Sequence, residues 1–233
     1  MSSQTIKEPA LQEIYLNFHG LGVPPQQIHD AERPYWIAVE QFEAILQLVR
    51  EHESKNSRVR FTFDDGNQSD IAVALPLLQK YGRRATFFLI SDTIGRTGFL
   101  APADVARLRD AGMAIGSHGA AHVKWTSLSN EELEEQVSRS LQILSELSGE
   151  AVTTVAVPFG DYDRRVLGVL ARLGIASVHT SDGGPARSGA WIKSRTSVRA
   201  DIPIEPIKAL VSGRLSIVHR FHFFARRWVR RLR

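Results

Sequence analysis

Val59-Arg60-Phe61-Thr62-Phe63-Asp64-Asp65-Gly66 is a short apolar run that stops abruptly at two carboxylates and a glycine. Its β-branched and aromatic residues predict a strand over Val59–Phe63. Five more runs have the same character: Ile14–Phe18, Ala85–Ile90, Met113–Ser117, Thr154–Val157 and Ala176–Thr180. All but Ala85–Ile90 lead straight into a polar or glycine-bearing group, namely His19-Gly20, Asp64-Asp65-Gly66, His118, Pro158-Phe159-Gly160 and Ser181-Asp182-Gly183. Helical patterns alternate with these strands, which is the order of a β/α architecture built on a parallel sheet. In a β/α barrel the C-terminal strand ends converge on one face, so acids and histidines distant in sequence can meet there.

The clearest helix is Asn130–Ser148, where Leu133, Val137, Leu141, Leu144 and Leu147 recur at spacings of three and four. Ser129 and Glu132 are its capping box and Gly149 its stop. Further helices are expected over Tyr162–Leu173, capped by Asp161 or Asp163, and over roughly Glu40–His52, Leu75–Lys80 and Ala103–Asp110. Asn67, Ser69 and Asp70 cap the third of these or shape access to the strand end before it.

The 233 residues are 43% apolar and 23% charged, enough for one domain with its own core and too apolar for disorder. Cysteine is absent, which excludes disulfide scaffolds, cysteine nucleophiles and iron–sulfur clusters, so any metal site must draw on His, Asp and Glu. The net charge of +4 comes from the end of the chain: without Arg220, Arg226, Arg227, Arg230, Arg231 and Arg233 the balance is 23 basic to 25 acidic residues. Nucleic acid is therefore not an expected partner. The start of the chain lacks a secretory pattern and no apolar run reaches membrane-spanning length, so a cytoplasmic, soluble protein is expected.

Asp64-Asp65-Gly66 reads as a turn on local grounds. Two adjacent carboxylates at a buried strand end nonetheless repel each other and lose hydration, and a nearby cation is the natural way to keep both ionised. His118 and His122, four apart, aim two imidazoles at one point on a helical turn or tight loop. The residues between them are Gly119, Ala120 and Ala121, so the glutamate of a zincin helix is missing. Together the two motifs supply three ligands and a spare carboxylate, the minimum for a hydrolytic metal site with an open position.

These residues resemble the polysaccharide deacetylases of carbohydrate esterase family 4, the chitooligosaccharide deacetylase homology domain. The resemblance covers about Ile14 to Val198 and rests on Thr62-Phe63-Asp64-Asp65-Gly66, on Ala85-Thr86-Phe87-Phe88, and on Gly116-Ser117-His118 with His122. It implies an α/β fold, a distorted (β/α) barrel in a single domain, with Asp64 as catalytic base and Asp65, His118 and His122 as metal ligands. The family's Arg-x-Pro-aromatic motif reads here Ala156-Val157-Pro158-Phe159-Gly160. Ala156 thus stands where the base-orienting arginine belongs. Arg195 is a substitute by position along the chain, and the backbone N–H of Phe159 remains available for an oxyanion. The catalytic acid is expected to be His19, by likeness of Phe18-His19-Gly20 to an N-terminal aromatic-His pair in circularly permuted relatives; His219, in a loose Leu-x-His match, is the alternative.

The reading that follows is a hydrolase of carbon–nitrogen bonds other than peptide bonds, removing N-acetyl groups from an amino-sugar saccharide, an exopolysaccharide among the candidates. The metal is zinc first, with cobalt, nickel or iron as fits for the same donors. An O-acetyl polysaccharide esterase and an inactive saccharide-binding domain are the rivals, the second prompted by Ala156. Asp182, Arg195 and Trp125 are supporting or substrate-contacting candidates, with packing as the plainer role for Trp125. Residues 1–10 are expected to be a flexible N-terminus, 11–206 the barrel, and 207–233 a basic amphipathic helical extension that packs on the barrel or meets an anionic membrane on its inner face.

Overall fold

Alternation of side chains along the strands decides what lines the barrel and what packs outside it. In the computed structural model, which describes residues 12–26, 28–53 and 57–215, seven parallel strands close on themselves. They are β1 (Gln12–Phe18), β2 (Ser57–Asp65), β3 (Ala85–Leu89), β4 (Ala114–Ser117), β5 (Thr154–Ala156), β6 (Ser177–Thr180) and β7 (Ile192–Ser197). Each pairs with the next, and β7 pairs back to β1 with Tyr15 opposite Arg195. The expected (β/α) barrel is thus the fold, in one domain.

Outside it lie α1 (Val39–His52), α2 (Leu75–Lys80), α3 (Pro102–Asp110), α4 (Asn130–Ser148), α5 (Arg164–Arg172) and α6 (Ile204–Val211). Ile14, Leu16, Phe18, Phe61, Phe63, Phe87 and Leu89 face these helices and form one apolar core with Phe42, Ile45, Leu46 and Val49 of α1. Val155 and Val178 form a second core with Leu133, Val137, Val166 and Leu170. The intervening strand residues point inward, where Phe88 of β3 touches His179 of β6 and Arg195 of β7 across the barrel. The interior is tight: a Cβ on Gly116 would lie 2.4 Å from the Phe88 ring.

That polar lining explains the strand missing from the six expected ones. In β7 the inward side chains are Lys193, which donates to Glu13 at 2.8 Å, and the fully buried Arg195, so its hydrophobic alternation is inverted. Cap chemistry held as expected in α4, where Ser129 Oγ accepts from the Glu132 N–H, Glu132 accepts from the Ser129 N–H, and Gly149 takes φ +70°. Of the two candidate caps for α5, Asp163 accepts from the Val166 N–H, while Asp161 accepts from the Thr126 hydroxyl. The barrel also runs past residue 206, because Ile207, Leu210 and Val211 of α6 are buried in the first core. The N-terminal segment 1–10, His219 and the Arg-rich extension from 216 onward lie outside the described residues.

Candidate active site

Adjacent strand residues point to opposite faces, so Asp64 and Asp65 can serve one site only if the backbone breaks between them. It does: Asp65 has φ +78° and Gly66 φ +76°, which turns the Asp65 carboxylate back over the barrel mouth. Left-handed backbone is uncommon outside glycine, with aspartate among the better-tolerated residues. Phe159, at φ +57°, is the other non-glycine in this region, and for it the strain is on the order of 1–2 kcal/mol. Two such residues among the described chain, both at strand ends on this face, mark a functional site.

His118 and His122 come from the loop after β4, held by Gly119 N–H to Ser117 Oγ at 3.0 Å and Ala121 N–H to Gln136 Oε1 at 2.9 Å. The loop turns at Gly119, φ +85°, so the pair sits on a tight turn and not on a helix. His118 Nδ1 donates to the Ala156 carbonyl at 2.9 Å, which leaves Nε2 as the free lone pair. That Nε2 lies 3.7 Å from Asp65 Oδ1, and His122 Nε2 lies 3.9 Å from the same oxygen.

These residues fit a divalent metal. Three ligand atoms, two imidazole nitrogens and a carboxylate oxygen, lie within 4.8 Å of one another. Asp65 Oδ1 is buried with no hydrogen-bond partner among the described residues. Burial, the Asp64 charge and Glu32 push its carboxyl up to about 8, which is the cost of holding that anion without a cation. Burial also lowers His118 to about 3 and lowers His122, so both imidazoles are neutral and ready to ligate.

Asp64 is bound from below. Arg195 Nη1 donates to Oδ1 at 2.6 Å and Nη2 to Oδ2 at 2.9 Å, a two-toothed pair with Arg195 fully buried. Asn17 Nδ2 adds a bond to Oδ2 at 2.9 Å, and its Oδ1 accepts from Arg195 Nη1 and the Thr62 hydroxyl, both at 2.8 Å. Burial alone would raise the Asp64 pKa, but Arg195 and then His118 outweigh it and hold the carboxyl far below the usual range. The guanidinium missing at Ala156 therefore arrives from β7. His19 completes the mouth, its Nε2 at 3.9 Å from Asp64 Oδ2, and burial lowers its pKa to about 4.

Other candidates sort by burial. Trp125 is fully buried in the second core beneath the Gly119 turn, so the substrate-contacting role is corrected to packing: a buried ring cannot meet a sugar. The exposed aromatic among the described residues is Phe159, 51% accessible and stacked on His122 at 4.2 Å. Asp182 accepts from Tyr162 Oη at 2.7 Å and the Thr180 hydroxyl at 2.8 Å, and the Thr180 carbonyl accepts from Arg195 Nε, so it supports the arginine that clamps Asp64. Ser69 does not cap a helix but accepts from the Leu21 N–H, and no side chain of Asn67 or Asp70 makes a cap bond. Asp70 is fully buried with both oxygens unpartnered among the described residues, and burial with the Asp65 and Asp64 charges raises its pKa well above normal. Asn17 was missed; its signal is one amide inside the apolar run Ile14–Phe18.

A polysaccharide deacetylase family profile matches residues 51–178, a stretch that contains Asp64, Asp65, His118, His122 and Phe159 but neither His19 nor Arg195. Among curated proteins, the chain is 27% identical over 144 residues to YxkH of Bacillus subtilis, covering 62% of this chain and 52% of that one. It is 29% identical over 112 residues to the peptidoglycan-N-acetylglucosamine deacetylase PgdA of Listeria monocytogenes, covering 48% of this chain and 23% of that one. The chain thus spans about half or less of these relatives. Among solved structures, the Streptococcus pyogenes deacetylase PplD shares the fold with TM-score 0.76 and 20% identity, over 87% of this chain and 99% of that one.

Proposed function

Because the chain belongs to the polysaccharide deacetylase family, we propose that it is a metal-dependent de-N-acetylase of an amino-sugar saccharide, with Asp64 as base, His19 as acid, and Asp65, His118 and His122 as the metal ligands. The observation that carries the reading is the unpartnered Asp65 Oδ1 facing two imidazole nitrogens beside a carboxylate clamped by Arg195. When bound, a divalent cation, zinc first among those suited to two nitrogens and an oxygen, supplies polarisation of the acetyl carbonyl and acidification of a water. The chain's own groups do the rest. Asp64, fixed by Arg195 and Asn17, takes a proton from the attacking water as its oxygen bonds to the acetyl carbon. The backbone N–H of Phe159 meets the charge developing on the carbonyl oxygen.

The amine leaves only with a proton. A neutral His19 must acquire one during turnover, and the nearest acidic atom is Asp64 Oδ2, 3.9 Å from Nε2, just after it has captured the water's proton. Nε2 then delivers it to nitrogen as the carbon–nitrogen bond breaks, so amide and water become amine and acetic acid, whose own proton passes to the amine or to solvent to leave acetate. The test is mass-spectrometric tracking of acetyl loss from N-acetylglucosamine oligomers and lipid-linked N-acetyl sugars, with O-acetyl xylan in parallel. Acetate release from N-acetyl substrates that vanishes in Asp64→Asn while bound metal persists is expected. Release only from the O-acetyl substrate, or full activity in Asp64→Asn, overturns the assignment.

A further inference from the structure

An imidazole that moves protons is ordinarily steered through its second nitrogen by a carboxylate, carbonyl or water. Among the described residues His19 has no such partner: its Nδ1 is buried and makes no hydrogen bond with them. What the ring does touch is Tyr35, with ring centroids 4.7 Å apart and planes at 50°. The contact is built into the backbone. Gly20–Leu21 and Trp36–Ile37 form a small parallel pair with Gly20 opposite Trp36, so the residues just before them, His19 and Tyr35, emerge side by side. Gly20 is required there, because a Cβ would lie 2.1 Å from the Trp36 indole.

Tyr35 is braced in turn. The Pro34 carbonyl accepts from the Ala200 N–H at 2.8 Å, which ties the segment after β7 to this one. Arg199 then lies with its guanidinium 5.2 Å from the Tyr35 ring centre, and two bonds to Asp201, at 2.8 and 2.6 Å, hold it in place.

We infer that Tyr35 is the positioning residue for His19: its ring, braced by Arg199, sets the imidazole by a tilted ring-to-ring contact where other proton-transferring histidines are set through Nδ1. The inference rests on the reading of His19 as the acid. A ring fixed at one end only can swing, and displacement of a reacting group by about 1 Å costs on the order of 100-fold in rate.

The experiment uses the full chain loaded with zinc and the N-acetylglucosamine pentamer. Tyr35→Leu, which fills the space without a ring, is expected to lower kcat by about 10–100-fold with little change in KM, and Tyr35→Phe to stay near wild type. In the His19→Ala background Tyr35→Leu should cost nothing further. Without any substrate, the His19 ring-proton resonances should be alike in wild type and Tyr35→Phe and should shift and broaden in Tyr35→Leu. A rise in KM alone, an equal loss in both backgrounds, a loss in Tyr35→Phe matching Tyr35→Leu, or unchanged His19 resonances in Tyr35→Leu overturns the inference and leaves the acid assignment standing. Full activity in His19→Ala removes the acid assignment itself, and the inference with it.

Discussion

Replacing Arg195 by methionine removes a fully buried guanidinium that makes two bonds to Asp64 and one to Asn17. Asp64, 2% exposed, keeps among the described residues only the Asn17 amide at 2.9 Å as a side-chain donor. Removing one member of a buried ion pair costs about 3–5 kcal/mol, mostly from the charge left behind. For a protein of this size about 1 kcal/mol moves Tm by roughly 2–4 °C, so a fall of about 6–20 °C is expected by calorimetry. Turnover should fall by about 100-fold or more, because the base loses its orientation. The double variant Arg195→Met/Asp64→Asn separates the two effects: with no buried charge to strand, it should recover most of the lost Tm while staying inactive. A Tm within about 1 °C of wild type in Arg195→Met, or no recovery in the double variant, refutes the argument that the pair exists to hold Asp64.

Three further outcomes follow from the same structure. Asp65→Ala should retain the fold yet lose bound metal by elemental analysis, and chelation of the wild type should lower its Tm by the binding term, about 2.7 kcal/mol at a free metal concentration of 100 Kd; stoichiometric metal in Asp65→Ala contradicts the ligand set. His179 is buried against Tyr15 and Phe88 with Nδ1 unpartnered, and burial and Arg195 hold its pKa well below normal. A depressed histidine pKa means that the unfolded chain binds the extra proton, so this stability is present above the unfolded pKa near 6.5 and is lost as pH falls below it. Between pH 6.5 and 5.5 the loss is about 1 kcal/mol, so the Tm of His179→Phe should gain roughly 2–4 °C on wild type over that step; parallel curves would contradict it.

Much of the barrel was legible because its strands and caps obey near-neighbour rules. Ile14–Phe18 and Val59–Phe63 carry outward apolar residues at alternate positions, and Ser129 with Glu132 announces α4 whatever it packs against. β7 was hidden because Lys193 and Arg195 face inward, where a sequence pattern expects apolar residues. Trp125 could be read either way on sequence, since a tryptophan beside the site motif suits both a platform and a core; only its burial beneath Gly119 decides. Tyr35 left no trace, because its meeting with His19 depends on the register of a two-residue pairing.

The chain by itself determined the chemistry on offer: paired acids at a strand end, imidazoles four apart, no thiol, and no arginine at position 156. Each is a local property, written by side-chain type and short spacing. Tertiary structure alone decided which groups meet. Arg195 reaches Asp64 across 131 positions, and Asn17 reaches the same carboxylate across 47, because β7 closes on β1 and carries that guanidinium under the base. Closure of a barrel is a property of all seven strands at once, so no short stretch could have declared it.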